Sequence, residues 1–193
     1  MSSEPVRRLS PEDYLAFERQ AETKHEYVAG EVFAMTGASA RHNVIVVNLI
    51  TEIGVQFRGR PGRVFPGDQR VAVTPDGPFY YPDLSALCAE PRFLDDRFDT
   101  LLNPEVAIEV LSPSTEAFVR GVKFSHYRAI HSVQEVVFIA QDAVRAEHFV
   151  RRESEWVLSD HAGLEATFEL PALGCRLEMA RVYDRVEGLP VER

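Results

Sequence analysis

The chain reads as an α/β protein, with a mixed central sheet flanked by helices. Three observations predict this. Stretches of helical period alternate with short apolar stretches, a pattern that suits helices packed on a mixed sheet. The run Val106–Leu111 is apolar on both of its alternating faces, as a covered central strand is. The segment from Glu109 through Ser112-Pro113-Ser114 to Thr115 then forms one strand–turn–helix unit, which folds the next helix back beside its strand. The 193 residues contain no internal repeat, low-complexity segment or linker, so residues 1–193 are expected to form a single domain.

The elements follow from local signals. Ser10-Pro11-Glu12-Asp13 supplies an N-cap, a proline at the first helical position and acids in the first turn, opening a helix to about residue 21. His25–Val28 and residues 31–35 flank Ala29-Gly30 as a hairpin. Ser39 caps a helix to about Phe57 whose inward stripe is His42, Val46, Leu49 and Ile53. Gly59, Pro61 and Gly62 end it. Strands are expected over 63–65, 69–73, 82–88 and 105–111, with Pro75-Asp76-Gly77-Pro78 as a turn. Residues 91–103 read as a loop with Asp95, Asp96 and Asp99 in solvent. Thr115 caps a third helix to about Ile130, and 133–140 returns as a strand. Antiparallel edge strands over 144–150 and 155–159 and a short helix near 179–186 complete the chain.

Composition narrows the function. Hydrophobic content of 45% and charged content of 26% are those of a water-soluble globular protein. No apolar run approaches the roughly 18 residues of a membrane helix. The start, with Arg7-Arg8, lacks the apolar stretch of an export signal, and a cytoplasmic location is expected. Cys88 and Cys175 form no CxxC motif and read as two buried free thiols. A net charge of −9 argues against a surface that coats nucleic acid, so any such contact must come from a local patch or a partner. Arg145, Arg151 and Arg152 are mixed with acids and read as a solvated face. The six histidines show no zinc-binding spacing, and there is no glycine-rich phosphate loop. Ser112 and Ser114 lack a His–Asp pairing and read as turn and cap residues.

The informative residues are charges set in apolar sequence. Glu109 lies within Val-Ala-Ile-Glu-Val-Leu, on the face shared by Ala107 and Leu111. A carboxylate buried there costs several kcal/mol or more unless it is paired, protonated or metal-bound. Lys123 shares a helical stripe with Val119, Tyr127 and Ile130, so it either snorkels out or meets a buried acid. Asp83, in Tyr-Tyr-Pro-Asp-Leu, enters the neighbouring strand. Two carboxylates and a lysine suit a hard divalent cation, Mg²⁺ or Mn²⁺, which is typically held by one or two carboxylates, water and substrate phosphate. Such an ion lowers the pKa of water and offsets phosphate charge, while the lysine can orient or deprotonate water and screen the phosphate. A buried ion network is the alternative reading of the same three residues. Glu31 can supply a further ligand or remain an exposed strand acid, and His42 can serve the site or the core. Tyr81 and Tyr127 can meet a phosphate or a base, or simply pack.

The ensemble Lys-His-Glu-Tyr-Val-Ala-Gly-Glu31, Ala-Arg-His42-Asn, Tyr-Pro-Asp83-Leu, Ile-Glu109-Val-Leu-Ser-Pro-Ser-Thr and Lys123-Phe-Ser-His-Tyr127 resembles the Uma2 family of the PD-(D/E)xK nuclease superfamily. The similar stretch runs from about residue 14 to 149, with the later strands and short helix appended. The resemblance implies a restriction-endonuclease-like fold, Mg²⁺-dependent hydrolysis of phosphodiester bonds in DNA, and a homodimer. It implies Asp83 and Glu109 as metal-binding acids, and Lys123 as the catalytic lysine relocated from the position Leu111 occupies onto the helix. Val119 stands where the family often has an acid. A nuclease fold that binds without turnover is the alternative.

Overall fold

A computed structural model describes residues 8–190 except 36 and 114, so the expectations for Arg7 and Ser114 lie outside the described residues. Ser10 caps α1 (Pro11–Glu18), its hydroxyl accepting the Asp13 N–H. β1 (His25–Val28) and β2 (Glu31–Ala34) pair across Ala29 and Gly30, whose φ angles of 51° and 92° form a tight left-handed turn that favours glycine. Ser39 caps α2 (Ala40–Gln56) through the His42 N–H. Then come β3 (Arg63–Pro66), β4 (Arg70–Ala72), β5 (Phe79–Tyr80), β6 (Leu84–Leu87), β7 (Thr100–Leu101) and β8 (Val106–Leu111). The third helical segment is α3 (Glu116–Phe118), a π-helical turn (Val119–Lys123) and α4 (Phe124–Ala129). β9 (Glu135–Ala140), β10 (Arg145–Arg152), β11 (Glu155–Ala162), β12 (Thr167–Leu170), β13 (Cys175–Glu178) and α5 (Met179–Val182) follow.

The expected mixed α/β class holds. The principal sheet is six-stranded, β11-β10-β9-β8-β6-β3, with β8 and β9 parallel and its other pairs antiparallel. β8 is buried along its whole length, and its two faces enter different cores. Val106, Ile108 and Val110 pack with α2, α5 and the β12–β13 hairpin. Ala107 and Leu111 pack with Val119, Tyr127 and Ile130 of the third helical segment and with Val71, Tyr80 and Leu101. Those last three belong to a second sheet, β2-β1-β5-β4-β7, whose other side holds α1 through Tyr14, Leu15, Tyr27 and Phe79. No helix among the described residues is long and apolar enough to cross a membrane.

The structure corrects several local readings. β5, β7, β12 and β13 were not expected; β5 and β7 are two residues each, too short to show a period. β7 lies inside the expected 91–103 loop. There Asp99 pairs with Arg19 and Arg70, and Asp95 with Arg19, so these acids clasp the loop onto α1 and β4. The buried row of α2 is Ile45, Leu49 and Ile53, with His42 and Val46 only half-buried. Residues 44–50 are apolar except for Asn48, so periodicity alone cannot choose the face. Thr115 precedes its helix without capping it; its hydroxyl pairs with Ser112. Arg151 is a clasp rather than a solvated charge, donating to the carbonyls of Val133, Arg128 and Ile130 and lying over Trp156. Cys175 is buried and Cys88 half-buried, both as free thiols.

Candidate functional site

Strand register assembles the acids. Leu84 pairs with Ile108 and Ser85 with Ala107, so one further step places Asp83 opposite Glu109. Oδ2 of Asp83 accepts the backbone N–H of Val110 at 2.7 Å, which ties the entry of β6 to β8. Glu109 faces the third helical segment, as the alternation of β8 requires.

The helix returns Lys123 to that carboxylate. Its Nζ lies 2.8 Å from Oε1 of Glu109, and Tyr127, one turn on, donates its hydroxyl to the same oxygen at 2.5 Å. Val119, Lys123, Tyr127 and Ile130 are all buried, so the predicted stripe holds. Lys123 ends a π-helical turn in which the Phe124 N–H reaches back to Val119. Such turns are uncommon in helices and frequent at functional sites.

Glu26 completes the cluster and was missed in the sequence. Its Oε1 lies 2.8 Å from Lys123 Nζ and accepts the Tyr81 backbone N–H at 3.2 Å. A signal existed: Tyr27 packs toward α1, so its neighbours Glu26 and Val28 face the core that holds Lys123. Glu31, the acid expected to serve the site, sits opposite Val28 at the hairpin turn and makes no ion pair among the described residues. His42 does reach the site, with Nε2 3.1 Å from Oδ2 of Asp83. Tyr81 is turned elsewhere, its hydroxyl donating to Glu18 and accepting from Arg70.

The result is a nearly closed charge cluster. Glu109 and Lys123 are each 4% exposed, and the way in runs past the Asp83 and His42 side chains, at 20% and 14%. Three carboxylates crowd one lysine. Burial raises the Glu109 pKa to about 7, with Asp83 and Glu26 adding to the rise and Lys123 opposing it. Burial disfavours the Lys123 charge, but Glu109 and Glu26 outweigh it, so the ammonium stays charged. Burial likewise opposes a charged His42, while Asp83 and Glu109 hold its pKa above the ordinary imidazole value.

Two buried carboxylates, Glu26 and Glu109, thus share one lysine, with the half-buried Asp83 beside Glu109. Among the described residues no three His, Cys, Asp or Glu side chains converge to cage a metal. Asp83 and Glu109 are hard oxygen donors of the kind that could hold a Mg²⁺-like ion only if water and phosphate supplied most of its ligands. They do not fit a softer ion that needs an all-protein shell.

Metal-free stability should carry this crowding as a pH dependence. Glu109 binds its proton more tightly in the fold than at its ordinary value of 4.5. Its contribution is therefore complete below 4.5 and is lost as pH rises through about 7. Melting wild type and Glu109→Gln across that window should show a decline of on the order of 3 kcal/mol that the variant lacks. Parallel profiles would contradict the raised pKa.

The Uma2 family model, described as "Putative restriction endonuclease", matches residues 11–181. The chain belongs to the Uma2 family. The Uma2 match includes every residue of the cluster and extends past the expected residue 149 through β12, β13 and the first residues of α5. Two uncharacterized proteins of Synechocystis sp. are relatives. Protein sll1609 is 33% identical over 162 residues, covering 83% of this chain and 92% of its own. Protein slr1290 is 31% identical over 184 residues, covering 94% of each. The fold is similar to the crystal structure of a putative nuclease belonging to DUF820 from Anabaena variabilis, with a TM-score of 0.74 at 19% identity. That alignment covers 92% of this chain and 99% of the other, and at such identity it speaks for the fold alone.

Proposed function

We propose that this Uma2 chain is a metal-dependent endonuclease that hydrolyses phosphodiester bonds in DNA, with Asp83, Glu109 and Lys123 as its catalytic residues. One observation carries the reading: Lys123 Nζ bridges Glu26 and Glu109 at 2.8 Å each, beside Asp83, in a site with more buried carboxylate than one lysine neutralises. Asp83 and Glu109 would hold the ion, which when bound lowers the pKa of water and offsets charge on the phosphate. An ion held by these two acids would have to displace the His42 ring from Asp83 and any proton from Glu109.

Glu26 and Glu109 favour the charged form of Lys123, which suits an electrostatic part. Lys123 is a fixed ammonium that screens negative charge on the phosphate as the bond breaks. Glu26 and Tyr127 keep that geometry, the first by gripping the ammonium and the second by fixing the Glu109 carboxylate. A cytoplasmic location, expected from a start without an export-like apolar stretch and from two free thiols, and a homodimer, implied by the family resemblance, belong to the same proposal.

The test is cleavage of single- and double-stranded DNA with Mg²⁺ or Mn²⁺ against a chelator. Metal-dependent cutting that Asp83→Asn removes supports the proposal; cutting that survives the chelator or the variant opposes it. The near closure of the acids, the net charge of −9 and Val119 favour one rival, a binding or scaffold module that keeps the fold without turnover. Metal-dependent binding with no cutting of either substrate identifies the rival.

A further inference from the structure

Two thiols far apart in sequence meet at the end of β6 remote from Asp83. Cys88 follows β6 directly, Cys175 opens β13, and both pack in the core beneath α2. Their sulfurs turn to one atom: the Leu173 carbonyl oxygen lies 3.8 Å from Cys88 Sγ and 3.6 Å from Cys175 Sγ. The two differ in access. Cys175 is 1% exposed, while Cys88 is half-buried in the bend that leaves β6. Arg60 sits against the inner thiol, its Nη2 donating to the Leu173 carbonyl at 2.8 Å, the Gly174 carbonyl at 3.1 Å and Cys175 Sγ at 2.9 Å. Burial raises the pKa of both thiols, with Glu105 adding to the rise at Cys88, and Arg60 opposes it at both. Packing accounts for a buried thiol. It does not call for a second sulfur aimed at the same oxygen, nor for a guanidinium on the inner one.

We propose that Cys88 and Cys175 are a redox pair that closes to an intramolecular disulfide when the protein meets a peroxide, pinning the β12–β13 hairpin to the end of β6. Cys88, the accessible thiol, reacts first. Its sulfur attacks one oxygen of hydrogen peroxide, the O–O bond breaks, and a sulfenic acid forms as the other oxygen leaves as water. Cys175 then attacks the Cys88 sulfur; the S–S bond forms, the S–O bond breaks, and the oxygen leaves as a second water. The two thiols lose two electrons and two protons in all, and the peroxide is reduced to water. Arg60 favours the thiolate at Cys175, the form that attacks. The closed loop spans β8, the third helical segment, β9 and β10, so Glu109 and Lys123 lie within it. A link across so long a loop restricts the unfolded chain and stabilises the fold. This chemistry is independent of the nuclease reading.

The test is dilute, native full-length chain treated with a modest excess of hydrogen peroxide, followed by thiol titration in denaturant and peptide mass mapping without reductant. Wild type should lose both free thiols, become two hydrogen masses lighter and yield one linked peptide pair holding Cys88 and Cys175. Its melting temperature should rise by roughly 4–16 °C, and a reductant should erase the rise. Cys175→Ala should instead gain oxygen at Cys88, and in Cys88→Ser the Cys175 thiol should stay reduced over the same time. Wild type in which Cys88 passes to sulfinic acid while Cys175 stays reduced, or in which disulfides form only between chains, overturns the proposal. So do two thiols that both survive the treatment. Should either variant fail to fold, the wild-type peptide map decides alone.

Discussion

Replacing Lys123 with methionine should cost the metal-free protein about 3–5 kcal/mol at mildly alkaline pH, the usual penalty for removing one partner of a buried ion pair. For a chain of this size that is a fall in melting temperature of roughly 6–20 °C. The cause is specific. Lys123 is the cation that Glu26 and Glu109 share, and its removal leaves both carboxylates buried beside Asp83. Methionine keeps the apolar stem against Tyr80 and Tyr127, so the loss reports charge rather than a cavity. The penalty should shrink in acid, where Glu109 takes up a proton and one of the stranded charges disappears. Thermal melts across pH measure this, and a variant as stable as wild type at alkaline pH would contradict the charge balance described above. Divalent metal should recover part of the loss, because a cation can occupy the space that the ammonium leaves.

The second large effect is on cleavage. Asp83→Ala and Glu109→Ala should each depress turnover beyond the roughly 10- to 100-fold that loss of an outer supporting group costs a metal site. Lys123→Met, if folded at the assay temperature, should lose about 10²- to 10⁴-fold, as removal of a positioned catalytic group does. Glu26→Gln should fall between these and wild type, because Glu26 acts through Lys123. Its distinguishing readout is the pH profile. Without Glu26, Glu109 loses one repelling neighbour while Lys123 remains, so the titration of Glu109 should move to lower pH. Steady-state rates across pH check this, and an unmoved profile would reduce Glu26 to packing.

The parts of this molecule that were legible in the sequence are those where charge contradicts surroundings. Glu109 within Val-Ala-Ile and Val-Leu, and Lys123 on an apolar stripe, announced their burial, and the strand–turn–helix connection announced that they would meet. The structure brings the two together at 2.8 Å. Glu26 was less legible because β1 is only four residues long, too short for its alternation to establish which face is inward. The π-helical turn before Lys123 leaves no mark in sequence, since the stripe of Val119, Lys123, Tyr127 and Ile130 survives it.

Two strands of the smaller sheet escaped for a different reason. β5 and β7 have two residues each and exist because their neighbours pair with them, a tertiary effect that local pattern cannot carry. By contrast, β12 and β13 did carry a readable signal. Phe168 and Leu170 alternate with polar residues, as do Cys175 and Leu177, and both strands turn their apolar side to the core beneath α2. His42 shows where a single side chain escapes helix periodicity. It stands at the mouth of the site because Ser39 starts α2 there, and Asp83 is what holds its imidazole.

The central claim is that the buried acids exist to hold a cation. The most direct measurement is the melting temperature of wild type and Glu109→Gln, each with chelator and with millimolar Mn²⁺. Without metal, Glu109→Gln should melt above wild type at alkaline pH, because one of three crowded carboxylates is gone while Lys123 keeps Glu26 and Tyr127 keeps an acceptor. With Mn²⁺, wild type should rise, by about 2.7 kcal/mol of stability at a hundredfold excess over the dissociation constant, and the variant should barely respond. A metal-free Glu109→Gln that melts well below wild type, with neither protein responding to Mn²⁺, would mean that Glu26, Glu109 and Lys123 are a structural ion network.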